Sequence, residues 1–173
     1  LVFRQIRDTF PPSSGDDLRD CVLALWALTY REEKYLAIDY FVHFVKRFAD
    51  LSMLALASRL IREGSWWDFV DNIASGVLGM LITQLGALCH EEMDRWIEDE
   101  HMWIRRAAIL SQLSVRGAKF DHDRLFRYCE MCCHEQEFFI RKAIGWALRN
   151  YAREQPQKVL AFVKKNEDRL SKL

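Results

Sequence analysis

Turn-forming residues are scarce in this chain: 173 residues include only 7 Gly and 3 Pro. With 50% hydrophobic residues, that scarcity argues against a turn-rich sheet protein and against a disordered one, and leaves a helical domain. Net charge is missing as well, because 25 Lys and Arg balance 25 Asp and Glu. A nucleic-acid binder is often basic overall, so the sum counts mildly against one. The distribution says more than the sum. Segment 101–119 holds Arg105, Arg106, Arg116 and Lys119 without an acid, and segment 138–153 holds Arg141, Lys142, Arg149 and Arg153 without an acid. No apolar run suits a membrane span; the nearest, 72–89, is broken by Asn72, Ser75, Thr83, Gln84 and three glycines. No signal peptide is expected, and the cysteines are odd in number, five. The expectation is free thiols in a reducing, intracellular compartment, cytoplasmic and nucleoid-associated if the source is bacterial. Cys129-x-x-Cys132-Cys133-His134 lacks the second ligand pair of a structural zinc site, so its thiols read as packing groups and no metal is expected. The chain starts at Leu1 rather than Met and ends at Leu173, so a portion of a longer protein is expected.

What is abundant is helical periodicity. Residues 1–9 read as a helix end stopped by Pro11-Pro12, with Asp16 or Asp17 capping the next helix over 17–29. Helices are expected over 31–48, 51–61 and 66–85, the last capped by Ser65, then over 89–98 and 101–116, which Gly117 ends. Asp121 opens 122–133, then comes 136–153, and Pro156 opens a last helix to about 166. Ile38, Ile73, Ile109 and Ile144 fall at the same place in successive segments, 35, 36 and 35 residues apart. Two helices per unit at such a period mark an α-solenoid, and without the tetratricopeptide pattern a HEAT-like stack is favoured. The fold expected is therefore all-α, a single HEAT-like-repeat domain over 1–173, truncated at one or both ends, with a concave binding face.

That repeat frame groups residues by face. Counted from each isoleucine, positions −6, −2, +2 and +5 share one side of the helix. They are Trp67, Asp71, Ser75 and Leu78; then Trp103, Ala107, Ser111 and Ser114; then Phe138, Lys142, Trp146 and Arg149, with Arg153 one turn on. The mixture is too polar for a core seam. Cations interleaved with aromatics suit a phosphate backbone and its stacked rings; the competing reading is solvated outer charge with Trp146 in the core.

Between Glu63 and Glu91 the only charged residues are Asp68 and Asp71. Either they anchor a helix start, where acids are favoured, or a carboxylate beside an indole is being used. A lone acid among aromatic walls suits cleavage of an N-glycosidic bond, since it can stabilise an oxocarbenium-like sugar and orient water. An alkylated purine is already cationic and leaves without a general acid.

Ser65-Trp66-Trp67-Asp68-x-Val70-Asp71, Trp103-Ile104-x-Arg106-Ala107-Ala108-Ile109-Leu110 and Glu137-Phe138-Phe139-Ile140-x-Lys142-Ala143-Ile144-Gly145-Trp146-x-Leu148-Arg149-x-Tyr151-Ala152 together resemble the DNA alkylation repair family of HEAT-like-repeat glycosylases, over nearly the whole chain. The resemblance implies a monofunctional hydrolase that excises N3- and N7-alkylated purines from duplex DNA, without flipping the base into a pocket and without a cofactor. It implies a catalytic set of Trp67, Asp71 and Trp146, the indoles against the deoxyribose and Asp71 against the sugar cation. It implies DNA-backbone contacts from Arg106 and Arg149. Lys142, which could in principle form a Schiff base, then reads as a phosphate or packing contact, and Arg153 continues the basic stripe. Members carry further helices at both ends and tend to be basic, and Ser114 stands where a basic contact is expected. A monomer acting on double-stranded DNA, with no membrane partner, is the resulting expectation. The alternative is a non-catalytic HEAT-like module binding DNA structures or a protein.

Overall fold

A computed structural model describes residues 2–170, and those residues are helical with no strand among them. The helices are α1 (Val2–Thr9), α2 (Gly15–Trp26), α3 (Arg31–Phe44), α4 (Ser52–Gly64), α5 (Trp67–Asn72), α6 (Gly79–Leu85), α7 (Ala87–Trp96), α8 (Met102–Leu110), α9 (His122–Cys132), α10 (Phe138–Ala152) and α11 (Pro156–Lys165). A π-helical stretch, Ile73–Leu78, joins α5 to α6, so that rod is continuous as expected. The four isoleucines of the repeat frame are all buried, at 0–5% exposure for Ile73, Ile38, Ile109 and Ile144. They are the core side of successive repeats.

The side-chain bonds between helices carry the same period. Trp26 Nε1 donates to Glu63, Arg31 to Asp68, Arg106 to Asp71, Lys119 to the Thr83 carbonyl and Lys165 to Glu130, across 37, 37, 35, 36 and 35 residues. Each repeat is thus tied to its neighbour, as a solenoid requires. Asp94 of α7 is the most heavily bonded acid: it accepts two bonds of 2.9 Å from Arg124 and one of 2.7 Å from the Tyr128 hydroxyl, and it also meets Arg127. The Arg124 bonds hold its carboxyl far below the usual range. A depressed carboxylate stabilises the fold above its unfolded pKa, near 3.8, and that contribution is lost as the pH falls below it. Asp94→Asn should therefore cost about 2–3 kcal/mol in urea unfolding at pH 7, with the difference from wild type shrinking as pH falls below about 4.

Several ends differ from the sequence expectation, each for a local reason. Ser14, not Asp16 or Asp17, caps α2, its hydroxyl accepting from the Asp17 N–H, while Asp17 reaches back to the Ser13 N–H at 2.7 Å. Asp121 caps α9 as expected, accepting from the Arg124 N–H at 2.9 Å. Ser65 does not cap α5. It closes α4 in the left-handed region, φ 36°, with its N–H on the Ile61 carbonyl and its hydroxyl on the Arg62 carbonyl at 2.7 Å. That bend delivers Trp66 and Trp67 half-exposed at the start of α5. Helix α8 stops at Leu110 rather than near 116 because side chains take over the backbone groups there. Ser111 bonds the Ala108 carbonyl and Asn150 bonds the Leu113 carbonyl at 3.0 Å, while Ser114 reaches out of the turn to the Ser75 carbonyl of the neighbouring repeat.

Ser114, where a basic contact was expected, is exposed, and its hydroxyl donates to the Ser75 carbonyl one repeat away. The π-helical stretch begins two residues after Asp71, and such segments are rare and gather at functional sites. Two close approaches occur there, one within it and one just after it. A Cβ on Gly76 would lie 2.7 Å from Val42, and one on Gly79 would lie 2.1 Å from the Ser114 hydroxyl oxygen. The Ser114 hydroxyl lies at this close approach and donates to the Ser75 carbonyl.

Candidate active site

Trp67, Asp71, Arg106, Lys142, Trp146 and Arg149 line one cleft of about 420 Å³, closed by Phe138 and Phe139. Three helices supply them: α5 gives Trp67 and Asp71 one turn apart, α8 gives Arg106, and α10 gives the rest. Trp67 is 45% exposed and Trp146 39%, so both indoles are offered to a ligand rather than packed in the core. Lys142 and Arg149 are exposed, and neither forms an ion pair among the described residues; Lys142 Nζ lies 5.4 Å from the centre of the Phe138 ring. Arg153, expected on the same stripe, is exposed just past α10 and does not line the cleft.

Asp71 is 8% exposed and Arg106 only 4%. The two form a two-point pair: Arg106 Nε donates to Oδ1 at 2.8 Å and Nη2 to Oδ2 at 2.8 Å. The remaining terminal nitrogen, Nη1, donates to the Phe139 carbonyl. The guanidinium expected to meet a DNA backbone is therefore turned inward, because Asp71 would otherwise be a buried charge without a partner. Burial pushes the Asp71 carboxyl above its ordinary range, Arg106 pulls it back, and nearby Asp68 adds a smaller upward push. Asp68 itself faces away, held by Arg31 at 2.5 Å and by the Tyr35 hydroxyl.

The shared face read from the repeat frame fails in the third unit. Trp103, Ala107 and Ser111 are buried, at 7%, 0% and 1% exposure, and so is Leu78 of the second unit. Helix α8 is flanked by α5 on one side and α10 on the other, so the side that was to be open is covered. Trp103 instead packs in an aromatic cluster with Trp66 and Phe139, ring centres 6.3 and 4.9 Å away. Phe139 is the site residue that the repeat frame does not select. It sits outside the repeat-frame face, yet it lines the cleft, its backbone carbonyl accepts from Arg106, and its ring centre lies 5.9 Å from the guanidinium carbon. Cys129 and Cys132 are buried among α9 and its neighbours, and burial pushes the Cys132 thiol up to about 12. No group of three or more potential metal ligands occurs among the described residues.

Fold and cleft together define a helical-repeat protein with one acid set between aromatic walls and flanked by free cations. The comparisons give that class its family. The model of the family described as DNA alkylation repair enzyme matches residues 2–173, and the chain belongs to that family. A solved structure described as a predicted DNA alkylation repair enzyme from Enterococcus faecalis is 30% identical, with a TM-score of 0.79 over 99% of this chain and 76% of its own. Among curated proteins no match is found. No helix among the described residues is long and apolar enough to cross a membrane.

Proposed function

We propose that this protein is a monofunctional DNA glycosylase. It hydrolyses the N-glycosidic bond of N3- and N7-alkylated purines in duplex DNA, at the cleft of Trp67, Asp71 and Trp146. The observation that carries the reading is a nearly buried acid opening onto a cleft walled by exposed indoles. As the bond to a cationic base breaks, positive charge builds on the sugar, and a fixed carboxylate in a low-dielectric setting stabilises it strongly. The indole faces, negative at their centres, add to that stabilisation and keep bulk water from the sugar. The alkylated base needs no proton donor, which fits a site with one acid. Because Asp71 must be ionised, the rate falls as pH drops through its pKa, and burial sets that acid limb above the usual carboxylate range.

Lys142 and Arg149 flank the cleft and are the groups available for phosphates. Neutralising either, as Lys142→Gln or Arg149→Gln, should weaken binding to unmodified duplex. Each should reduce the slope of log K against log salt by about 1, read by fluorescence anisotropy at several salt concentrations. An unchanged slope for both would remove them from the DNA interface. The glycosylase reading itself is tested by freed base from methylated duplex. Wild type should yield 7-methylguanine and 3-methyladenine, and a folded, DNA-binding protein that yields neither would instead be a binding module.

A further inference from the structure

The outer helices α2, α4, α7, α9 and α11, which do not line the cleft, are latched to one another at every boundary but one. Trp26 of α2 donates to Glu63 of α4 at 2.8 Å. Asp94 of α7 accepts from Arg124 and Tyr128 of α9, and Glu130 of α9 accepts from Lys165 of α11 at 2.9 Å. Between α4 and α7 there is no hydrogen bond or ion pair among the described residues; Arg62 of α4 meets Asp99, which lies beyond the end of α7. The side chains at equivalent positions explain the gap. Buried Met53, Ala57 and Leu60 of α4 recur 36 residues on as Cys89, Met93 and Trp96 of α7, and 36 further on as Leu125, Cys129 and Cys132 of α9. In that register Ser58, Asp94 and Glu130 are one position, so a serine stands where the other latches have their acid. The donors Arg124, Arg127 and Tyr128 are replaced by Leu88, Glu91 and Glu92. Two of the arginines here are spent within their own helices, Arg59 on Glu63 and Arg95 on Glu92. A cavity of 780 Å³ remains between α4 and α7, with half-exposed Leu51 and Leu88 on its walls.

The inner side of the same boundary is the opposite case. Arg106 holds Asp71 at 2.8 Å, Ser114 donates to the Ser75 carbonyl, and Lys119 donates to the Thr83 carbonyl at 2.6 Å. Gly79 runs so close to Ser114 that a Cβ there would lie 2.1 Å from its hydroxyl oxygen. A boundary bonded on one side and empty on the other turns about its bonded side, because no contact has to break for the empty side to change width. We propose that the α4–α7 boundary is the joint at which the solenoid flexes to take up duplex DNA, the outer helices moving while Asp71 and Arg106 stay paired. Trp67 lies on one side of this joint and Trp146 on the other, so the rotation sets the width of the cleft. Drawing α4 and α7 together spreads the two indoles, and letting the outer helices part brings the indoles closer. The coupling to duplex rests on reading the cleft as a DNA site, and the joint itself does not.

The test places nitroxide labels at Ala55→Cys and Glu91→Cys, exposed positions on facing walls of the cavity. The background is Cys21→Ser, since Cys21 is the one native cysteine that is not buried. A control pair, Glu91→Cys with Asp123→Cys, spans the latched α7–α9 boundary. Pulsed electron-spin distance measurements on the free protein should give a broad distribution for the first pair and a narrow one for the control. Unmodified duplex should shift and narrow the first and leave the second in place. Equal widths in the free protein, or a first pair that duplex does not move, would overturn the proposal. A short bismaleimide joining Ala55→Cys to Glu91→Cys then holds α4 against α7. Duplex affinity, read by fluorescence anisotropy, should fall about tenfold, because the binding-competent spacing is rarely reached. A long flexible bismaleimide should leave affinity near that of the unlinked protein. Wild-type affinity under the short link would detach the joint from DNA binding and overturn the proposal. Failure of the unlinked protein to bind duplex would sink the DNA reading of the cleft, while the widths in the free protein decide the joint without DNA.

Discussion

Asp71→Asn should slow release of 7-methylguanine from methylated duplex DNA about a hundredfold or more, the usual loss when one preorganised charge-stabilising group is removed. The amide fills the same space and its oxygen can still accept from Arg106, but it carries no charge for the sugar cation. The cost is not confined to catalysis. Arg106 is 4% exposed and loses its anionic partner, so stability should fall by about 1–3 kcal/mol, read by urea unfolding. Asp71→Ala, which leaves the guanidinium with no acceptor in place of both bonds, should cost about 3–5 kcal/mol. Rates are therefore compared at a temperature where circular dichroism shows each variant folded. A folded Asp71→Asn protein that releases base at the wild-type rate would remove Asp71 from the chemistry.

The second large effect is expected at the indoles. Trp67→Ala and Trp146→Ala should each lower single-turnover release by about ten- to a hundredfold, since one ring face against a nucleotide is worth about 1–3 kcal/mol. Both rings are exposed, at 45% and 39%, so unfolding free energy should stay within about 1 kcal/mol of wild type. Phenylalanine at either position should restore much of the rate, because it keeps a ring face. A large stability loss in either alanine variant, with a normal rate once refolded, would return that tryptophan to a packing role.

The repeat was legible in the sequence because a solenoid places the same demand on the chain every 35 or so residues. Ile38, Ile73, Ile109 and Ile144 meet that demand and are all buried. The cleft was legible through the same frame: Trp67 and Trp146 stand open, as positions −6 and +2 of their units should. The frame failed at Trp103, Ala107 and Ser111 because it treats every helix as having one open side, whereas α8 lies between α5 and α10. The Asp71–Arg106 pair was not read, although both residues were singled out. Their 35-residue separation is one repeat, and side chains one repeat apart meet in this fold as residues one turn apart meet in a helix. Ser65 was misread as the cap of the following helix because a short hydroxyl side chain is defined by the carbonyl it finds, and at the left-handed turn that ends α4 it finds the Arg62 carbonyl.

The central claim is that the cleft breaks a glycosidic bond by hydrolysis. The most direct measurement is mass spectrometry of wild-type protein incubated with methylated duplex DNA, reading the freed species and the strand left behind. The account predicts intact 7-methylguanine and 3-methyladenine in solution, an abasic site in a strand that stays uncut until alkali is added, and no covalent adduct trapped by borohydride. Methylated bases retained in the duplex by a folded protein that binds it, or a trapped adduct at Lys142, would contradict it.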